Sequence, residues 1–215
     1  MTSNEDMQDM RKSYEKFTLS EEDAGNDPIS FFHRWFEIAK QENVEEPNAM
    51  HLATVNKEGQ PSGRVVLLKS VVDGNFLFFT NYDSRKGKNL SGNPKASLTF
   101  FWASLERQVR IEGTVSPVSR QDSIDYFSKR PRVSQLGAYI SNQSEIVPNR
   151  EYLESLYRKY DQEFEGKEIP TPENWGGYSL EPNLIEFWQG RKGRLHDRIQ
   201  FVLREGRWKR DRLSP

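Results

Sequence analysis

The pattern of apolar positions is first helical, then strand-like, then helical again, and it closes on strands. Residues 1–26 lack apolar periodicity and read as a flexible segment, although Arg11, Lys12 and Tyr14 could fold back over a site. Asp27-Pro28 predicts a helix start, with a carboxylate to cap free N–H groups and a proline suited to the first turn. Phe32, Trp35, Phe36 and Ala39 then recur at helical spacing through Gln41. After a polar connection over 41–48, short apolar runs separated by turn residues predict strands over 51–55, 64–69, 76–80, 97–102 and 108–115. Lys57-Glu-Gly-Gln-Pro61 and Asp73-Gly74 mark tight turns between them. A short helix is predicted over 84–92, capped by Ser84.

The second half predicts helices over 119–129 and 149–164. The latter carries Tyr152, Leu153, Leu156, Tyr157, Tyr160 and Phe164 in one stripe, which reads as core packing. Residues 168–174, with Pro170 and Pro172, form a linker. Trp175-Gly-Gly-Tyr178 then leads into strands over 184–188, 199–203 and 208–213. Many short strands with inserted helices predict a mainly β, α+β protein: an antiparallel barrel with peripheral helices and not a doubly wound sheet.

Composition narrows the class. Hydrophobic residues make up 34% and charged residues 29%, but aromatics reach 12%, too many for a disordered chain. A net charge of −1 argues against a broad nucleic-acid footprint, so any basic site must be local. The chain has no cysteine, which excludes disulfides and thiolate chemistry. No signal-like start and no apolar run of membrane-spanning length are seen, so a cytoplasmic protein is expected.

Local charge is where chemistry shows. Arg85, Lys86 and Lys88 occupy the first turn of the helix over 84–92, against the usual preference for acids there. An anion site would produce this, and a solvated helix end would too. Arg64 and Lys69 stand at the ends of one apolar run, five apart, so alternation puts them on opposite faces unless a bulge intervenes. Arg130 follows Tyr126 by one helical turn, with Ser134 beyond Pro131. These are good phosphate donors, and an ordinary helix C-terminus fits the spacing equally well. Glu186-Phe-Trp-Gln-Gly-Arg-Lys-Gly-Arg-Leu-His-Asp-Arg198 joins two strands by a basic, glycine-bracketed turn. His196 is the one histidine among charges; His33 and His51 read as structural or exposed. No metal-ligand spacing and no serine-nucleophile elbow occur. The residues thus describe a pocket with two anion sites, without naming a reaction.

These motifs resemble the pyridoxamine 5′-phosphate oxidase family. The resemblance rests on Arg64-Val-Val-Leu-Leu-Lys69, Ser84-Arg-Lys86, Phe101-Trp102, Arg107-Gln-Val-Arg-Ile-Glu-Gly113 and Tyr126-Phe-Ser-Lys-Arg-Pro131. It continues through Ser134-Gln-Leu-Gly-Ala138, Asn142-Gln-Ser144, Trp175-Gly-Gly177, the 186–198 stretch and the terminal Arg212-Leu-Ser-Pro215. It implies one FMN-binding split β-barrel domain over 27–215, of antiparallel Greek-key type, whose C-terminal part serves dimerisation and substrate. It further implies a homodimer with FMN at the subunit interface. The implied reaction is oxidation of pyridoxamine 5′-phosphate and pyridoxine 5′-phosphate by O2 to pyridoxal 5′-phosphate and H2O2, by hydride transfer from substrate C4′ to flavin N5. On matching positions, Arg64, Arg85 and Lys86 would hold the FMN phosphate and Val65, Val66, Leu67 and Leu68 would line the flavin. Phe79, Thr80, Gln108, Trp188 and Arg198 would complete that site, with Gln143 and Ser144 reaching it from the partner chain. Lys69, Tyr126, Arg130 and Ser134 would hold the substrate phosphate, Lys69 also touching FMN, while Arg194, Leu195 and His196 would lie against the pyridine ring, with Arg194 and His196 as the catalytic residues. Arg11 and Tyr14 would belong to a segment that closes over the pocket. Two positions depart from the family pattern: Phe79 stands where tyrosine is common, and Glu145 where serine is common. The competing expectation is a split-barrel protein that binds a flavin or pyridoxal phosphate without turnover.

Overall fold

In the computed structural model, which describes residues 12–215, the capping signals do what their chemistry predicts. Ser20 and Asp23 form a reciprocal capping box around the single-turn helix α1 (Glu21–Ala24). Asp27 accepts the Ile29 N–H at the start of α2 (Pro28–Gln41). Nine strands follow: β1 (Ala49–Val55), β2 (Pro61–Leu67), β3 (Ser70–Val72), β4 (Asn75–Asn81), β5 (Lys95–Trp102), β6 (Arg107–Pro117), β7 (Trp175–Gln189), β8 (Asp197–Arg204) and β9 (Arg207–Arg212). The remaining helices are α3 (Arg85–Gly92), α4 (Arg120–Ser128), α5 (Arg132–Ile140) and α6 (Arg150–Glu163). The strands share one sheet in the order β2-β1-β5-β6-β7-β4-β3, with β8 on β7 and β9 on β8. The β1–β2, β3–β4, β4–β7, β7–β8 and β8–β9 pairs are all antiparallel. Asp73 (φ 50°) and Gly74 (φ 79°) make the left-handed two-residue turn between β3 and β4 that the Asp-Gly pair predicts.

The chain divides into two compact units. One comprises the described residues from 12 to 47 together with Thr99–Ile111 and Asn183–Pro215. Its core is aromatic: Phe31 packs on Phe187 at 4.4 Å between centroids, Phe32 on Phe100 at 5.2 Å, and Phe187 on Phe201 at 6.0 Å. These rings are fully or almost fully buried, and truncating any one would cost roughly 3–5 kcal/mol. Within this unit residues 19–25, predicted flexible, are tied down. The Leu19 N–H donates to Asp197 at 3.1 Å, and Arg212 donates to the Leu19 carbonyl and both Glu21 carboxylate oxygens. Arg210 donates to the Glu21 and Gly25 carbonyls. Those partners are remote in sequence, so local periodicity carries no trace of them.

The other unit, Asn48–Leu98 with Glu112–Pro182, holds a second core of Phe127, Leu136, Ile169 and Trp175. Its helix α6 differs from expectation: none of its residues is buried, although Tyr157, Tyr160 and Phe164 pack partly on that core. Periodicity identifies which face is apolar and not how deeply that face is covered. Helix α5 has no counterpart in the sequence-based reading, which ended the helical pattern at Pro131.

Candidate active site

In the second unit, strand β2 ends at Leu67, and this resolves the Arg64–Lys69 problem. Strand alternation would put the two on opposite faces, but Lys69 lies beyond the strand. Leu68 and Lys69 leave it by donating their N–H groups to the Asn48 and Leu77 carbonyls, each at 2.8 Å. Arg64 and Lys69 therefore line the same cavity, about 700 Å³ in volume, with Val65, Val66, Leu67, Phe79, Thr80, Lys86, Tyr126, Arg130, Ser134 and Gln143. That volume suits a cofactor or small ligand. Leu68 is buried and is not part of the lining.

At one part of this cavity, Arg64 is held by the Leu52 carbonyl at 3.1 Å, Thr54 Oγ1 at 2.8 Å and Ser62 Oγ at 2.7 Å. Lys86, in the first turn of α3, is 9% exposed. Its ammonium donates to Gln143 Oε1 at 2.6 Å, Thr80 Oγ1 at 2.9 Å and Ser84 Oγ at 3.3 Å. Burial and then the Arg64 charge lower the Lys86 pKa to about 8. Burial and the Arg85 charge lower that of Arg64. The Arg85 N–H donates to Ser144 Oγ at 3.2 Å. Gln143 and Ser144, expected to serve a partner chain, thus meet Lys86 and the Arg85 backbone of their own chain.

The second cationic set gathers where α4 ends and α5 begins. Pro131 is the N-cap of α5 and offers no side-chain acceptor, so the first-turn N–H groups have no side-chain cap. Arg130 stands beside that helix end with its guanidinium 4.7 Å from the Trp175 ring centroid. Its Nη1 is buried without a hydrogen-bond partner, and burial lowers its pKa. Tyr126 stacks on Phe79 at 4.0 Å, and Phe79 on Trp175 at 5.5 Å. The departure at Phe79 is thus accommodated by ring stacking that needs no hydroxyl. Among the described residues, no carboxylate pairs with Arg64, Lys69, Arg85, Lys86 or Arg130. A buried Lys86 ammonium without a carboxylate partner and an orphaned Arg130 guanidinium N–H call for an external anion.

The first unit carries the closing motif. Strands β7 and β8 pair Trp188 with Arg198 across the register. The turn between them holds Gly193 at φ 67° and Arg194 at φ 63°, an unfavourable left-handed conformation for arginine, with Leu195 73% exposed. His196 Nδ1 accepts the Arg191 N–H at 3.1 Å, which leaves the ring proton of the neutral form on Nε2. Burial and the Arg194 charge lower the His196 pKa. The imidazole packs on Trp188 at 4.7 Å and Tyr14 at 5.8 Å. Arg198 makes a bidentate pair with buried Glu186 (2.9 and 3.1 Å) and donates to the Ser214 carbonyl at 2.8 Å. Gln108 is half-buried on β6, and Arg11 lies outside the described residues. Glu186 and Glu106 escaped the sequence reading as working residues. Each is a single acid in an aromatic or basic context, and only its distant partners reveal its task.

Comparison with known proteins decides what this constellation belongs to. A family model described as pyridoxamine 5′-phosphate oxidase matches residues 36–162, more than half the chain. A second, the pyridoxine 5′-phosphate oxidase C-terminal dimerisation region, matches residues 175–215. The chain belongs to the pyridoxamine 5′-phosphate oxidase family. It is 56% identical to the pyridoxine/pyridoxamine 5′-phosphate oxidase of Leptospira biflexa, over 98% of this chain and 99% of that one. It is 53% identical to that of Cupriavidus necator, over 96% and 98%. Like these oxidases, it is an enzyme of the oxidoreductase class. Among solved structures it is similar to PhzG from Burkholderia lata 383 in complex with tetrahydrophenazine-1-carboxylic acid, with TM-score 0.89 and 29% identity over 94% of this chain and all of that one. A pyridoxamine 5′-phosphate oxidase-related, FMN binding protein from Nostoc punctiforme shares the fold at TM-score 0.72 and 16% identity, over 89% of this chain and 100% of that one. These likenesses bear out the expected split β-barrel with peripheral helices. No helix among the described residues is long and apolar enough to cross a membrane.

Proposed function

We propose that this oxidase converts pyridoxine 5′-phosphate and pyridoxamine 5′-phosphate to pyridoxal 5′-phosphate with O2, as an FMN-loaded homodimer. The observation that carries this reading is one cavity lined by four cations, Arg64, Lys69, Lys86 and Arg130, together with Tyr126 and Ser134. One anion site would suffice for a flavin alone. A second, ending in an orphaned Arg130 N–H, fits a phosphorylated substrate. The carboxylic acid named with the Burkholderia structure carries no phosphate, so a substrate of that kind would leave this second set without its matching charge.

The residues of the second unit fit FMN: Arg64 and Lys86 would hold its phosphate, with Val65 to Leu67 and Thr80 along the ring. FMN supplies the two-electron acceptor that passes electrons on to O2. For the alcohol, C4′ loses a hydride and its hydroxyl a proton, giving the aldehyde and H2O2. For the amine, the same loss gives an imine that water hydrolyses, releasing ammonia. Lys69, Tyr126, Arg130 and Ser134 anchor the substrate phosphate. Neutral His196 offers its Nε2–H as a donor, and Arg194 its guanidinium, to orient the pyridine ring. Holding the substrate in a reactive pose lowers the entropic part of the barrel site's barrier, worth roughly 7–11 kcal/mol in the best cases.

The test is direct. Protein purified with riboflavin 5′-phosphate is mixed with pyridoxine 5′-phosphate in air, and pyridoxal 5′-phosphate and peroxide are assayed. Stoichiometric formation of both is expected. Protein that takes up no flavin would overturn the reading, and flavin uptake without turnover would favour a binding protein.

A further inference from the structure

Glu106 is 2% exposed and sits at φ 55° in the turn that precedes β6. Its carbonyl accepts the Gly190 N–H at 2.7 Å and Gln189 Nε2 at 3.1 Å, which ties it to the end of β7. Its side-chain Oε2 accepts the backbone N–H groups of Glu15 at 2.9 Å and Lys16 at 3.1 Å. Lys16 adds a bond from its ammonium to the Ser104 carbonyl at 2.6 Å. Burying an acidic side chain is unfavourable unless its oxygens are satisfied, and here both bonds go to a segment about ninety residues earlier in sequence. The next residue back, Tyr14, places its ring 5.6 Å from Trp188 and 5.8 Å from His196. Gly190 makes room for it: a Cβ there would lie 2.7 Å from Tyr14 Cγ and 2.8 Å from Tyr14 Cβ. One side chain therefore links the backbone of residues 15–16 to the strand end that carries Trp188.

We propose that Glu106 is a positioning residue for the oxidation: by holding the N–H groups of residues 15 and 16, it sets Tyr14 against Trp188 and His196. This rests on the oxidase reading given above. Glu106 touches none of the reacting atoms and acts only through Tyr14.

The experiment compares FMN-loaded wild type, Glu106→Gln, Glu106→Leu, Tyr14→Ala and the Glu106→Leu/Tyr14→Ala double variant. Glutamine keeps an amide oxygen to accept both bonds, so Glu106→Gln should retain KM for pyridoxine 5′-phosphate within about threefold. Glu106→Leu loses two hydrogen bonds of about 1 kcal/mol each and should raise KM roughly 10- to 30-fold, with kcat changing less. On the Tyr14→Ala background the same substitution should add less than about twofold, because its intermediary is gone. Independently of turnover, hydrogen exchange in the peptide spanning residues 12–19 should accelerate in Glu106→Leu and not in Glu106→Gln. Gly190→Ala, which presses on Tyr14 while leaving Glu106 intact, should reproduce the KM rise and serves if Glu106→Leu fails to fold. Fully additive effects of Glu106→Leu and Tyr14→Ala, or unchanged exchange in Glu106→Leu, would overturn the proposal. An inactive wild type with the expected exchange pattern would instead sink the oxidase reading, and with it the positioning role.

Discussion

Replacing Lys86 with methionine should make the flavin-free protein more stable and its grip on the flavin phosphate weaker. The ammonium titrates at about 8 against an ordinary 10.5, chiefly because it is buried and secondarily because Arg64 is near. At about 1.4 kcal/mol per tenfold change in proton affinity, that gap bounds the cost of keeping the charge at roughly 3 kcal/mol. Solvent at the cavity mouth and loss of the bonds to Gln143, Thr80 and Ser84 reduce the expected gain to about 1 kcal/mol. Against this, one charge-assisted bond to a phosphate is worth about 1.5–3 kcal/mol, so Kd for riboflavin 5′-phosphate should rise roughly 10- to 100-fold. Denaturant melts of flavin-free protein and flavin fluorescence titrations measure the two effects. Riboflavin, which lacks the phosphate, should bind both proteins alike. The pH dependence follows with a definite sign. The folded pKa lies below the unfolded one, so the flavin-free wild type should gain stability as pH rises from about 8 to 10.5, where the unfolded chain holds the extra proton. Over the same rise its affinity for riboflavin 5′-phosphate should fall, and the methionine variant should show neither trend. A less stable variant with unaltered flavin affinity would refute the reasoning.

Arg130→Met should raise KM for pyridoxine 5′-phosphate roughly 10- to 100-fold while flavin binding stays unchanged, since it removes the cation whose Nη1 is orphaned. Steady-state kinetics beside a flavin titration check this, and equal loss of both affinities would move Arg130 to the cofactor. The His196 imidazole should titrate below 6.5 by NMR, because burial and Arg194 both disfavour its charged form. Protonation at Nδ1 removes the acceptor for the Arg191 N–H, so that amide should shift with the same midpoint, and the stability of the turn should fall as pH drops below 6.5. A midpoint above 6.5 would contradict this environment.

Much of the site was legible before the fold, for a physical reason. Cations at a helix start, as at Arg85 and Lys86, violate local electrostatics, and a violated local rule is visible in a single window of sequence. The Asp73-Gly74 turn and the Asp27 and Ser84 caps were visible too, since their chemistry is completed within a few residues. Helix α5 was not, because a proline reads as the end of one helix as readily as the start of the next. Nor was the anchoring of residues 19–25, whose partners Asp197, Arg210 and Arg212 come from the far end of the chain.

By itself the sequence determined most of the helices and strands, the Asp27 and Ser84 caps, the family motifs and the clusters of cations, because each depends on spacing over a turn or a strand. Only the tertiary structure decided that Arg64, Lys69, Lys86 and Arg130 line one cavity, since strand β2 had to stop at Leu67 for that to happen. It alone decided that Glu186 holds Arg198 and that Glu106 holds residues 15 and 16. Hydrogen bonds between residues far apart in sequence leave no period to read. They exist only once hydrophobic burial has brought the strands together.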